Sequence, residues 1–126
     1  MIPQGVLYTR EHEWVKLEGE TAVMGITDYA QEQLGEVTFI ELPAAGRIVK
    51  AREELASVES SKAASDVYAP LDGEIIEVNG ELETQPELIN QDCYQNGWIC
   101  KLKVDTSPDT AGLMEAPQYE DYLKGL

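Results

Sequence analysis

The chain has 126 residues, the size of one ordinary domain and enough to bury a core without disulfides or metals. Its 24 acids stand against 9 bases, a formal charge of −15, which makes nucleic acid and anionic membrane poor partners and basic protein surfaces better ones, unless the charge serves solubility alone. No apolar run approaches the roughly 18 residues of a membrane span. The N-terminal stretch MIPQGVLYTREHEWV has neither the apolar core of a secretory signal nor the Arg-rich character of a transit peptide. A cytoplasmic location is therefore expected, or the mitochondrial matrix for a processed eukaryotic chain.

In chain order, EWVKLE and TAVMGI flank Gly19 and read as a hairpin. TDYAQEQLG carries the signals of a short helix: Thr27 or Asp28 caps its start, and Gly35 closes it in a left-handed conformation. EVTFIEL is a strand ended by Pro43. An internal repeat follows. Residues 40–55 (IELPAAGRIVKAREEL) and 67–82 (VYAPLDGEIIEVNGEL) align without a gap at an offset of 27, matching Pro43 with Pro70, Gly46 with Gly73, Ile48 and Val49 with Ile75 and Ile76, and Glu54 and Leu55 with Glu81 and Leu82. Each copy reads as strand, turn, strand, turn. Two such copies suggest a pseudo-twofold, flattened barrel or sandwich within a single domain spanning 1–126. QPELINQD reads as a turn and a short extended piece. GWICKLKV alternates, with Trp98, Cys100, Leu102 and Val104 on one face. In the C-terminal stretch, Ser107 with Pro108 signals one helix start and Ala116–Pro117 another.

Little in this chain suggests an ordinary active site. Cys93 and Cys100 form no CxxC, and His12 is the only histidine, so no zinc site with proper spacing and no metal centre can be written. Neither GxSxG nor a phosphate-cradling loop is present. The feature that stands out lies in the segment joining the two repeats, SVESSKAASDVYAP (57–70). It reads as a hairpin with Val58 and Val67 pointing inward and Lys62 at its tip among serines and alanines. Small neighbours let another enzyme close around the lysine, the four-carbon stem supplies reach, and the amine can be acylated.

Several segments together resemble one family, the H-proteins of the glycine cleavage system. They are YTREHEWV (8–15), GITDYAQEQLGEVTFIELPAAG (25–46), ASVESSKAASDVYAPLDGEIIEVN (56–79) and PELINQDCYQNGW (86–98), in the family's order across nearly the whole chain. Biotinyl domains usually show Met-Lys-Met, and lipoyl domains of 2-oxo-acid dehydrogenases Asp-Lys-Ala without the EHEW and GITDYAQEQLG segments. The resemblance implies a mainly β, barrel-sandwich hybrid fold of the lipoyl/biotinyl-carrier type with short helices, including one at the C-terminus. It also implies a lipoyl carrier rather than an enzyme, with lipoate in amide linkage to Lys62 of ESSKA; Ser61 stands where the family often has valine. The arm would carry glycine's aminomethyl group from the P-protein, a glycine decarboxylase, to the T-protein, an aminomethyltransferase. Dihydrolipoyl dehydrogenase, the L-protein, would reoxidise it, and a lipoate ligase or lipoyl transferase would install the cofactor. A monomer is expected. The alternative is an H-like relay that donates lipoate to other enzyme complexes. A loaded arm bears a cation exposed to hydrolysis and needs a carboxylate beside it. Glu13 and Asp66 match the family's acidic and polar positions, whereas Glu11 replaces what is often a small hydroxyl residue. His12 is expected to pack against Trp14 in preference to lining the cleft.

Overall fold

The computed structural model describes residues 3–126. Nine strands and four short helices follow one another: β1 (Leu7–Tyr8), β2 (Glu13–Glu18), β3 (Thr21–Ile26), α1 (Asp28–Leu34), β4 (Val37–Glu41), β5 (Ile48–Val49), β6 (Glu54–Ser60), β7 (Ala64–Tyr68), β8 (Gly73–Val78), α2 (Glu81–Thr84), α3 (Leu88–Gln91), β9 (Cys100–Lys103) and α4 (Ala116–Lys124). They form two antiparallel sheets. One has six strands in the order β1-β2-β3-β9-β8-β5, the other three in the order β4-β6-β7. Inward-facing apolar residues of both sheets, among them Val15, Met24, Ile40, Val58, Val67, Ile75 and Leu102, fill one core. The architecture is mainly β with open, facing sheets, as the barrel-sandwich expectation requires.

Local signals explain much of this path. The β2–β3 turn closes at Gly19 with φ 66°. Thr27 caps α1 by accepting from the Ala30 amide. Gly35 ends that helix with a positive φ of 78°, but its ψ of −154° is not left-handed helical; it is a region essentially reserved for glycine.

A second, smaller cluster joins Tyr8, Trp14, Ala116 and Tyr119, so that α4 is held against β1. The Tyr8 and Tyr119 rings stack at 4.6 Å, and Tyr8 exchanges backbone hydrogen bonds of 2.8 Å with Met114. Trp98 is half-buried beside this second cluster, while Cys100, Leu102 and Val104 enter the main core.

Three sequence expectations give way. QPELINQD forms the helix α3 instead of an extended piece, and Ser107–Pro108 begins no helix, because the chain there runs out to bridge with Tyr8 before α4 starts at Ala116. The gap-free repeat also fails to preserve side-chain facing. Ile48 is 75% exposed whereas its aligned Ile75 is buried, and Val49 is buried whereas Ile76 is 44% exposed. Gly46 turns at φ 93° and Gly73 does not take a positive φ, so the two copies enter their strands one residue out of phase. Glu54 and Leu55 then open a strand, but Glu81 and Leu82 open the helix α2.

Candidate functional site

The β6–β7 hairpin turns at Ser61, Lys62 and Ala63. Val58 and Val67 anchor it in the core, and every residue from Ser61 to Asp66 is exposed. Ser60 holds the turn: its amide donates to the Ala63 carbonyl at 2.8 Å, and its hydroxyl oxygen accepts from the amides of Ala63 at 3.1 Å and Lys62 at 3.3 Å. The tip is tied to the end of α1 by the Ser61 amide, which donates to the Glu36 carbonyl at 3.3 Å. The Lys62 stem leans across Gly35. A methyl group added there would stand 3.2 Å from Lys62 Cε.

Beside the hairpin lies a cavity of about 230 Å³. Ala63 to Val67 form one wall, Tyr29, Gln33 and Leu34 of α1 another, and Glu11, His12 and Glu13 a third. All three acids singled out from the sequence therefore line one space next to the lysine. Their environments differ sharply. Glu11 and Asp66 are exposed, whereas Glu13 is 2% exposed. The Glu13 carboxylate accepts from the Thr9 hydroxyl at 2.5 Å and from the Tyr68 amide at 3.2 Å. Burial pushes its pKa up to about 7 despite those two hydrogen bonds, which pull the other way, and the charge of Glu11 adds to the rise. Glu13 also lines a second groove, of about 630 Å³, with Arg10, Arg52, Tyr68 and Asp109.

His12 does not pack against Trp14. It has φ 69°, and it turns its ring into the cavity wall 4.5 Å from that of Tyr29. Its Nδ1 lies 2.8 Å from the Tyr119 hydroxyl, which in turn lies 2.7 Å from Thr27 Oγ1. Burial holds the imidazole pKa below its ordinary value, with Glu11 opposing. The reversal at His12 has a topological cause: β1 and β2 form a tight hairpin whose turn closes with His12 N–H donating to the Thr9 carbonyl, so the residue before Glu13 faces α4. Tyr29 was not singled out from the sequence. In DYAQEQL, however, Tyr29 and Gln33 stand one turn apart at i and i+4, on the same side of the helix, the spacing that would have placed them in one wall. Among the described residues, no group of three His, Cys, Asp or Glu side chains converges as a metal site, and no helix is long and apolar enough to cross a membrane.

A sandwich that displays one lysine at an exposed hairpin tip, with a lined cavity beside it, has the form of a carrier domain. The comparisons with known proteins specify which carrier. The family model for the glycine cleavage H-protein matches residues 6–126. The glycine cleavage system H protein of Thermus thermophilus is 51% identical over 123 residues, 98% of this chain and 96% of that protein. That of Herpetosiphon aurantiacus is 48% identical over 122 residues, 97% of this chain and 93% of that protein. The crystal structure of a glycine cleavage system H protein from Mycobacterium marinum superposes with a TM-score of 0.89 at 34% identity, covering 99% of this chain and all of that one. The chain belongs to the glycine cleavage H-protein family. Its two open sheets are the barrel-sandwich hybrid of that family, and it is a carrier subunit, not a catalyst.

Proposed function

We propose that Lys62 is the lipoyl attachment site, and that the chain, acting as one folded unit, shuttles the aminomethyl group of glycine. The donor is the P-protein, the acceptor the T-protein, and dihydrolipoyl dehydrogenase restores the oxidised arm. The observation that carries this reading is the placement of Lys62 at an exposed tip directly beside a cavity containing Glu13 and Asp66. The residues present fit an acylated lysine. Ser61, Ala63 and Ala64 leave the amine accessible, and Gly35 leaves a cradle under the stem that any Cβ would fill.

Bound there, lipoate supplies a dithiolane that accepts the group and is reduced in doing so. The chain's own residues do the rest. The hairpin holds Lys62 at a fixed origin, from which its stem can reach the neighbouring cavity or a partner's site. Tyr29, Leu34 and Ala63 give that cavity part of its apolar lining. Glu13 offers a buried carboxyl whose remaining lone pairs suit an ammonium, and Asp66 and Glu11 add negative charge at the mouth. The bacterial sources of the relatives support a cytoplasmic setting.

The test has two stages. Incubation with lipoate ligase, ATP and lipoate should add one lipoyl mass to the wild-type chain and none to Lys62→Arg. Adding P- and T-proteins should then produce glycine–bicarbonate exchange with the modified chain only. Modification elsewhere than Lys62, or exchange without modification, would refute the proposal.

A further inference from the structure

Only two residues, Gly35 and Glu36, separate α1 from β4, and the hairpin tip rests on them. The Glu36 carbonyl accepts from Ser61, and the Lys62 stem crosses Gly35. This ledge has little of its own to hold it in shape. Gly35 sits at φ 78° and ψ −154°, and its backbone bond to the Gln31 carbonyl secures only its amide side. A glycine in so permissive a position costs conformational entropy to fix.

The fixing comes from a distant residue. Asn90, on the four-residue helix α3, directs its entire side chain at the ledge. Its Oδ1 accepts from the Val37 amide at 2.8 Å, and its Nδ2 donates to the Gly35 carbonyl at 2.8 Å and to Gln31 Oε1 at 2.9 Å. One carboxamide thus ties together the last turn of α1, the ledge and the first residue of β4. Asn is suited to this because it offers donors and acceptors on one short, planar group; aspartate lacks the donors. Asn90 is not among the residues that line the cavity beside Lys62.

We infer that Asn90 is a positioning residue for Lys62: by clamping the Gly35–Glu36 ledge it sets the orientation in which the hairpin tip is offered to the modifying enzyme. The inference rests on Lys62 as the attachment site, yet its central physical claim can be read without any modification.

Three variants serve the test: Asn90→Ala, Asn90→Asp and Gln31→Ala. The first readout is the backbone order parameter of Glu36 and Ser61 in the unmodified chain. In wild type both should be rigid, near 0.85, and in Asn90→Ala both should fall toward the flexible range below about 0.6, while β9 stays rigid. The second is lipoylation by lipoate ligase, followed by intact mass. The Michaelis constant for the chain should rise about fivefold in Asn90→Ala, equivalent to ~1 kcal/mol of lost preorganisation, with kcat little changed. Asn90→Asp keeps the acceptor for Val37 but sets a carboxylate against the Gly35 carbonyl, so it should behave like Asn90→Ala. Gln31→Ala, which leaves two of the three bonds, should shift both readouts less. A merely structural Asn90 would lower the denaturation midpoint and leave the ledge order parameters and the Michaelis constant within twofold of wild type, and that result overturns the inference. Should Asn90→Ala not fold, Asn90→Asp and Gln31→Ala supply the same comparison. Should the wild-type chain take up no lipoate, the fault lies with the reading of Lys62, and the order parameters still decide the role of Asn90.

Discussion

Replacing Glu13 by glutamine tests the buried carboxyl at constant shape. In the folded chain its pKa is raised from 4.5 to about 7. The protonated form is thus the one the fold favours. The stability this provides is complete below pH 4.5 and is lost as pH rises through 7. The total is about 2.5 units at 1.36 kcal/mol each, or ~3 kcal/mol, and about 2 kcal/mol of it falls between pH 5.5 and 8. Because Glu13 is almost wholly buried, solvent screening removes little of this. Urea denaturation at the two pH values should show wild type losing about 2 kcal/mol relative to Glu13→Gln. Glutamine can still accept from the Tyr68 amide, and the Thr9 hydroxyl can turn to accept from its amide nitrogen. Burial lowers the pKa of His12, which gives it a slope of the opposite sign, but it is common to both proteins and cancels in the difference. The same substitution bears on function. A cation in the cavity favours ionised Glu13, so a loaded wild-type chain should be better protected at pH 8 than at pH 6, as measured by formaldehyde and ammonia release without T-protein. The variant should lose that pH dependence. Parallel stability curves for the two proteins would refute the account of a buried, largely protonated carboxyl.

Three further outcomes are expected. Lys62→Arg should melt within about 2–3 °C of wild type, because an exposed tip residue away from the core features changes stability little, while glycine–bicarbonate exchange disappears; exchange at the wild-type rate would remove Lys62 from the mechanism. Raising salt from 0.1 M to 1 M shortens the screening length from about 10 Å to about 3 Å, so titration calorimetry should show weaker binding to the P- or T-protein if the charge of −15 guides docking; an affinity flat in salt would assign that charge to solubility. Tyr119→Phe removes the hydroxyl shared by His12 and Thr27, leaving the half-buried His12 Nδ1 without that partner and Thr27 with only its bond from the Ala30 amide. The expected cost is about 1–3 kcal/mol in urea denaturation, and an unchanged midpoint would show that water replaces the hydroxyl.

What was legible in the sequence is what local chemistry decides. Thr27 and Gly35 bracket α1 because capping and chain reversal are settled within a few residues. The β2–β3 and β6–β7 hairpins follow from alternation and turn composition, and the latter puts Lys62 in view. The short helices α2 and α3 were not legible. Four residues are too few to show a helical period or to form alone, and these turns exist because Leu82 and Ile89 are pulled into the core. The stretch before α4 misled for a related reason: Ser107–Pro108 is a good helix start, but the pairing of Tyr8 with Met114 claims the backbone just downstream. In the repeat, matched letters concealed a phase shift, since one residue of slip in a strand sends every side chain to the other face.

The candidate site shows the same division more sharply. Glu11, Glu13 and Asp66 could be nominated from resemblance and from the need for a carboxylate, but nothing in REHEW reveals that Glu13 is buried and Glu11 exposed. That difference is made elsewhere. Glu13 lies at the start of β2, where Thr9 reaches across the β1–β2 turn from one side and Tyr68, at the end of β7, donates its amide from the other. Fifty-five residues separate Glu13 from Tyr68, and no local pattern encodes that meeting. The consequence is chemical. Of three acids around one cavity, the one held farthest from water has its pKa near neutrality, so its charge responds to what occupies the cavity. The two exposed acids lack that burial, and their substitution should alter the pH dependence of arm protection far less than Glu13→Gln does.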